Sequence, residues 1–129
     1  MVGPTPAKLF VSICKVKRHY AEALKTADEE NVPLSPEIAA FREGHSQYTR
    51  ELIEKGVLWM GGPSPALKSM NIFAADSVEE ARKLQQGDPL FIYGMFYDPM
   101  YFEWIIHIPA EMASPYYKEI EKKKQKRGG

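Results

Sequence analysis

Between Ser35 and Pro63 the chain carries a helix marked at both ends that runs without a linker into a strand. Ser35 is a natural N-cap, and Pro36 suits the first helical position, where its missing N–H costs nothing. Glu37 places negative charge in the positive first turn. Ile38, Phe41, Tyr48 and Leu52 then follow at steps of three, seven and four, which trace one helical face. His45 fills the gap in that series, so an ionisable ring occupies a core position. Lys55 supplies a C-terminal cation, and Gly56 tolerates the left-handed conformation that ends helices. Val57-Leu58-Trp59-Met60 reads as a buried strand ending in Gly61-Gly62-Pro63.

On either side of this unit the pattern repeats. Lys8 to Val16 is a strand, with Leu9, Val11 and Ile13 on one face and Phe10, Ser12 and Cys14 on the other. Val16 to Asp28 places Tyr20, Ala23, Leu24 and Ala27 at helical spacing, as a short helix or an irregular excursion. Gly61 to Pro65 is dense turn punctuation, after which Met70 to Ala75 returns as a third strand, hairpin-paired with the second. Ser77 and Glu80 form a capping box for a helix that carries Val78, Ala81 and Leu84 inward and stops at Gly87. Leu90 to Tyr93 adds a turn, Asp98-Pro99 marks a bend, and Tyr101 to Ile108 is the last strand, ended by Pro109.

The order strand, helix, strand, strand, helix, strand is that of an α+β, ferredoxin-like βαββαβ unit: a four-stranded antiparallel sheet with its helices on one face. Two helices cover only that face. Phe10, Cys14, Trp59, Phe73 and one register of Phe102-Trp104-Ile106 are assigned to the other, and a second copy covering it resolves the conflict. A homodimer with packed sheets is therefore expected.

The 129 residues, 44% apolar, fit one domain spanning 1–129. Residues 1–7, with two prolines and a glycine, read as a loose lead-in. Net formal charge is zero, which gives no overall bias toward nucleic acid or anionic membrane. From Lys118 onward six basic and two acidic residues give +4, leaving −4 for the rest, so 118–129 reads as a basic, frayed tail. One cysteine, Cys14, permits no internal disulfide and suits a reducing, cytoplasmic setting. Neither a membrane span nor a leader pattern is present in the sequence.

Arg42-x-x-His45-x-x-Tyr48, Gly56-Val57-Leu58, Gly62-Pro63, Ser77-x-Glu79-Glu80-Ala81 and Asp88-Pro89 followed by Gly94 occur in that order. With these pieces the chain resembles the YCII-related (YciI-like) family of dimeric α/β-barrel proteins, over about Ala39 to Gly94. The connection from Val16 to Ser35 is longer than in small members. The resemblance implies a His–Asp pair, here His45 and Asp88, meeting in a cleft beside the sheet. It implies a reaction class as well: proton abstraction and elimination on ring-derived acids or chlorinated hydroquinones.

A carboxylate on one imidazole nitrogen fixes the tautomer and frees the other nitrogen to move a substrate proton. By spacing alone, His45 reads first as a satisfied core histidine, and Asp88 as a turn former before proline. Arg42, three positions before His45, either anchors an anionic substrate or forms a surface ion pair with Glu43 or Asp28. Tyr48 either donates to substrate or is a core phenol. Trp59, Phe73, Met95 and Trp104 either line an aromatic pocket or belong to core and interface. Neither His19 nor His107 stands at metal-ligand spacing, so no metal is expected, and no cofactor motif is present.

The sequence thus points to a cofactor-independent lyase or isomerase acting on a small ring-derived or acidic compound. The competing reading is a non-catalytic small-molecule-binding module using the same cleft. Nucleic acid is not an expected partner, because Met70 to Ala75 lacks the basic-glycine-aromatic pattern that stacks bases.

Overall fold

The computed structural model describes residues 8–107 together with 122–123. The lead-in, the end of the last expected strand at Ile108 and most of the basic tail lie outside these residues. Strand β1 (Lys8–Val16) is central, flanked by β3 (Lys68–Ala75) and β4 (Phe96–Glu103), with β2 (Leu58–Ser64) outside β3. All pairings are antiparallel. Helices α1 (Arg18–Glu30) and α2 (Pro36–Glu54) join β1 to β2, and α3 (Val78–Gln86) and α4 (Pro89–Ile92) join β3 to β4. This is the expected ferredoxin-like α+β arrangement. Among the described residues no helix is long and apolar enough to cross a membrane.

The local signals act as their chemistry dictates. Ser35 Oγ accepts the Ile38 N–H at 3.3 Å, and Gly56 adopts φ 76° just beyond α2. Ser77 Oγ accepts the Glu80 N–H at 3.2 Å, while the Glu80 carboxylate reaches back to the Asp76 N–H at 3.1 Å. The segment after Val16 is a regular 13-residue helix rather than an excursion.

Two strand boundaries differ from the sequence reading. Gly61-Gly62-Pro63 is not a turn: β2 continues through these residues, paired as far as Ser64 with Lys68. An edge strand accommodates Pro63, whose missing donor breaks no ladder on the free side. The reversal is made instead around Leu67, at φ 59°. The last strand begins at Phe96, not Tyr101. Asp98-Pro99 lies inside it as a bulge opposite β1, with Asp98 at φ 52°.

The two sheet faces are also exchanged relative to the expectation. Phe10, Phe73 and Cys14 face the helices and are buried in the core. Val11, Ile72, Ile13, Met70, Met100 and Phe102 pair across the other face, continued by Trp104, whose N–H meets the Leu9 carbonyl. Both faces of β1 are apolar, so alternation alone could not say which one the helices cover. The core under the helices has two parts. One gathers Phe10, Leu52, Leu58, Phe73 and Ala81; the other gathers Cys14, Val16, Tyr20, Leu90 and Phe96.

Candidate active site

The apolar stripe of α2 spans both parts of the core. Ile38 and Phe41 pack on the second, Tyr48 and Leu52 on the first, and His45 falls between them. The gap in the sequence pattern is thus a gap in the packing, and it holds the polar site.

Asp88 arrives from the other crossover. After α3 stops at Gly87, Asp88 caps α4, and its Oδ1 accepts the Leu90 N–H at 2.9 Å. Its Oδ2 lies 2.5 Å from His45 Nδ1. The aspartate side chain is 7% exposed and the histidine 30%, so the carboxylate is sealed behind a ring that remains open. Phe96 meets that ring edge-on, with centroids 5.6 Å apart. When Nδ1–H donates to the carboxylate, Nε2 carries a lone pair, and among the described residues nothing else bonds the ring.

His45 lines a cavity of about 460 Å³ between α1, α2 and the helix-facing side of the sheet. That is room for a small ring compound. Tyr20, Ala21 and Leu24 of α1 form one wall, and Arg42, Ser46 and Thr49 of α2 stand beside His45. The sheet contributes Gly61, Ser69, Asn71 and Phe96. Arg42 is exposed and, among the described residues, makes no ion pair. It also borders an outer groove between α1 and α2 that contains Asp28. Burial raises the Tyr20 phenol, an effect the nearby Arg42 guanidinium partly reverses.

Of the residues singled out in the sequence, His45, Asp88 and Arg42 are brought to this place; the others stand elsewhere. Tyr48 points into the core beside Gly87 and donates its hydroxyl to the Leu84 carbonyl, and burial raises its pKa. Phe73 is sealed in the first core part, and Met95 packs against the second. Trp59 is exposed, its indole N–H donating to the Gly56 carbonyl at 2.9 Å. Trp104 continues the open face of the sheet. Strand register decides these positions, and aromatic content alone does not reveal it. The sequence does not single out the α1 wall or Asn71: the apolar spacing of Tyr20 and Leu24 is a usable signal for the wall, whereas nothing local marks Asn71. Among the described residues no three His, Cys, Asp or Glu side chains cluster as a metal site requires.

No curated protein matches the sequence. Among solved structures the chain is similar to 5-chloro-2-hydroxyhydroquinone dehydrochlorinase (TftG) from Burkholderia phenoliruptrix AC1100, in complex with 2,5-dihydroxybenzoquinone. The TM-score is 0.51 at 18% identity, covering 75% of this chain and 93% of that one, a likeness of fold. The profile of the YCII-related domain matches residues 19–105, which take in α1, the His45 helix, the hairpin, Asp88 and β4. The chain therefore belongs to the YCII-related family.

Proposed function

We propose that the chain is a small enzyme, a lyase or isomerase, acting on a ring-derived or acidic compound held in the cavity beside His45. His45 Nε2 takes a proton from the substrate, and Asp88 holds the tautomer and stabilises the imidazolium that forms. In an elimination, the electron pair of the broken bond to hydrogen becomes the new double bond. The leaving group departs as an anion, and His45 returns its proton to water. Arg42 anchors the negative charge of the substrate from the same helix, and no cofactor takes part in these steps. The observation that carries the reading is the 2.5 Å contact between His45 and a sealed carboxylate at the wall of an open cavity. The dehydrochlorinase of similar fold makes a chlorinated hydroxyhydroquinone the natural first assay compound.

The assay is chloride release from that compound, with ligand binding followed in parallel. Wild type should turn over, and His45→Ala should lose about 10²–10⁴ in rate while retaining binding. Equal binding by both proteins with turnover by neither would make the cavity a binding module.

A second copy of this chain completes the molecule in the same reading, sheet against sheet. Met100 is 60% exposed, Met60 64%, Trp104 46% and Phe102 42%, a larger apolar surface than a lone soluble chain usually leaves open. The single buried cysteine supports a reducing compartment such as the cytoplasm.

A further inference from the structure

On the helix-facing side of the sheet a polar row crosses between two largely apolar clusters, with Ser69 beside Cys14 and Glu103 opposite Phe10 as the polar members of the flanking rows. Register places Gly61, Asn71, Ser12 and Tyr101 side by side across the four strands. Leu58, Phe73 and Phe10 form the next row on one side; Cys14, Val16 and Phe96 lie on the other. Polar groups buried in a core ordinarily have a hydrogen-bond partner. Ser12 is 0% exposed, and its hydroxyl has no partner among the described residues. Tyr101 meets the Gln86 carboxamide at 3.4 Å.

Asn71 and Gly61 are the part of this row that opens into the cavity holding His45 and Arg42. The two residues face each other in register, and a Cβ at position 61 would overlap Asn71 Oδ1. The carboxamide therefore lies down over the bare backbone of Gly61, on the cavity floor. Among the described residues nothing hydrogen-bonds it. The amide is thus half-buried, with neither end bonded to a described residue, in the room that the missing side chain of Gly61 leaves.

We propose that Asn71 is a specificity-determining residue, its carboxamide hydrogen-bonding a hydroxyl or carbonyl oxygen of the ring compound from the floor of the cavity. The assignment rests on the proposed function in taking this cavity as the substrate site. It narrows the substrate to a ring that carries an oxygen function in addition to the anionic group facing Arg42. A cavity built to pair such an oxygen discriminates against the analogue that lacks it, since the amide is then left unpartnered.

The test is calorimetric binding of 4-hydroxybenzoate, benzoate and 2,5-dihydroxybenzoquinone to the full chain, its Asn71→Leu and Gly61→Ala variants, with folding checked by thermal melting. Gly61→Ala keeps the amide but displaces it, and its backbone is free of positive φ, so it serves if Asn71→Leu does not fold. Wild type should bind 4-hydroxybenzoate about tenfold tighter than benzoate, and each variant should reduce that preference to about twofold or less. A preference unaltered in both variants overturns the role of Asn71, while loss of turnover in His45→Ala would leave the catalytic reading standing. Failure of wild type to bind any of the three overturns both.

Discussion

Gly44 packs directly against Pro89: a Cβ at position 44 would lie 3.1 Å from the proline Cγ and 3.3 Å from its Cβ. His45 follows Gly44 and Asp88 precedes Pro89, so this contact between α2 and α4 sets the separation of imidazole and carboxylate. Replacing Gly44 by alanine adds helix propensity of about 1 kcal/mol, enough to offset a tight methyl contact. Valine adds branching there and should cost about 1–3 kcal/mol through overpacking. Gly44→Ala should therefore melt near wild type, and Gly44→Val should melt lower. Both should lower kcat more than they raise KM in the chloride-release assay, because they shift the His45–Asp88 pair and leave Arg42 and the α1 wall in place.

Asp88 has two separable tasks, capping α4 through Oδ1 and meeting His45 through Oδ2. Asn at position 88 keeps a capping oxygen but loses the charge proposed to stabilise the imidazolium. Asp88→Asn should reduce turnover by about 10²-fold or more while changing the melting temperature little. Asp88→Ala should reduce both, with a cap loss of about 1 kcal/mol. Parallel melts and rate measurements on the two variants separate the tasks.

The sequence made the helix of His45 legible because its signals are local: a serine cap, a proline after it, one apolar stripe and a closing glycine. The same holds for Ser77 and Glu80. What could not be read depends on partners distant in the chain. Gly61-Gly62-Pro63 resembles a turn until β2 is known to be an edge strand, and Asp98-Pro99 resembles a bend until it is seen as a bulge beside β1. Phe10 and Val11 are both apolar, so their faces are distinguished only by where the helices dock. Asn71 becomes conspicuous only once Gly61 is its cross-strand neighbour.

Burial pushes the Cys14 thiol up from 9.0 to about 11. The folded chain thus holds a proton that the unfolded chain releases, so this contribution to stability is complete below about 9 and is lost as pH rises through about 11. The phenols of buried Tyr20 and of half-buried Tyr48 and Tyr101 are raised too and act in the same direction. Urea unfolding should show stability falling with alkaline pH above that lower limit. Iodoacetamide should label Cys14 only after unfolding; rapid labelling of the folded protein would contradict the packing described.

Phe102 and Met100 lie on the open sheet face, away from the cavity. Charge placed there should leave the fold intact and block association of two sheets. Size-exclusion chromatography with light scattering should give a dimer for wild type and a monomer for Met100→Asp with Phe102→Lys. An unchanged mass for the double variant would remove this face from the assembly.

A carboxylate at Nδ1 should dictate where the proton sits on His45. Long-range ¹H–¹⁵N correlation NMR reads the tautomer of each of the three histidines, and the exposed His19 and His107 serve as internal references. Neutral His45 should carry its proton on Nδ1 with Nε2 bare, and in Asp88→Ala it should revert to the mixture shown by the other two. A His45 spectrum matching His19 and His107 in wild type, or indifferent to the loss of Asp88, would contradict the account.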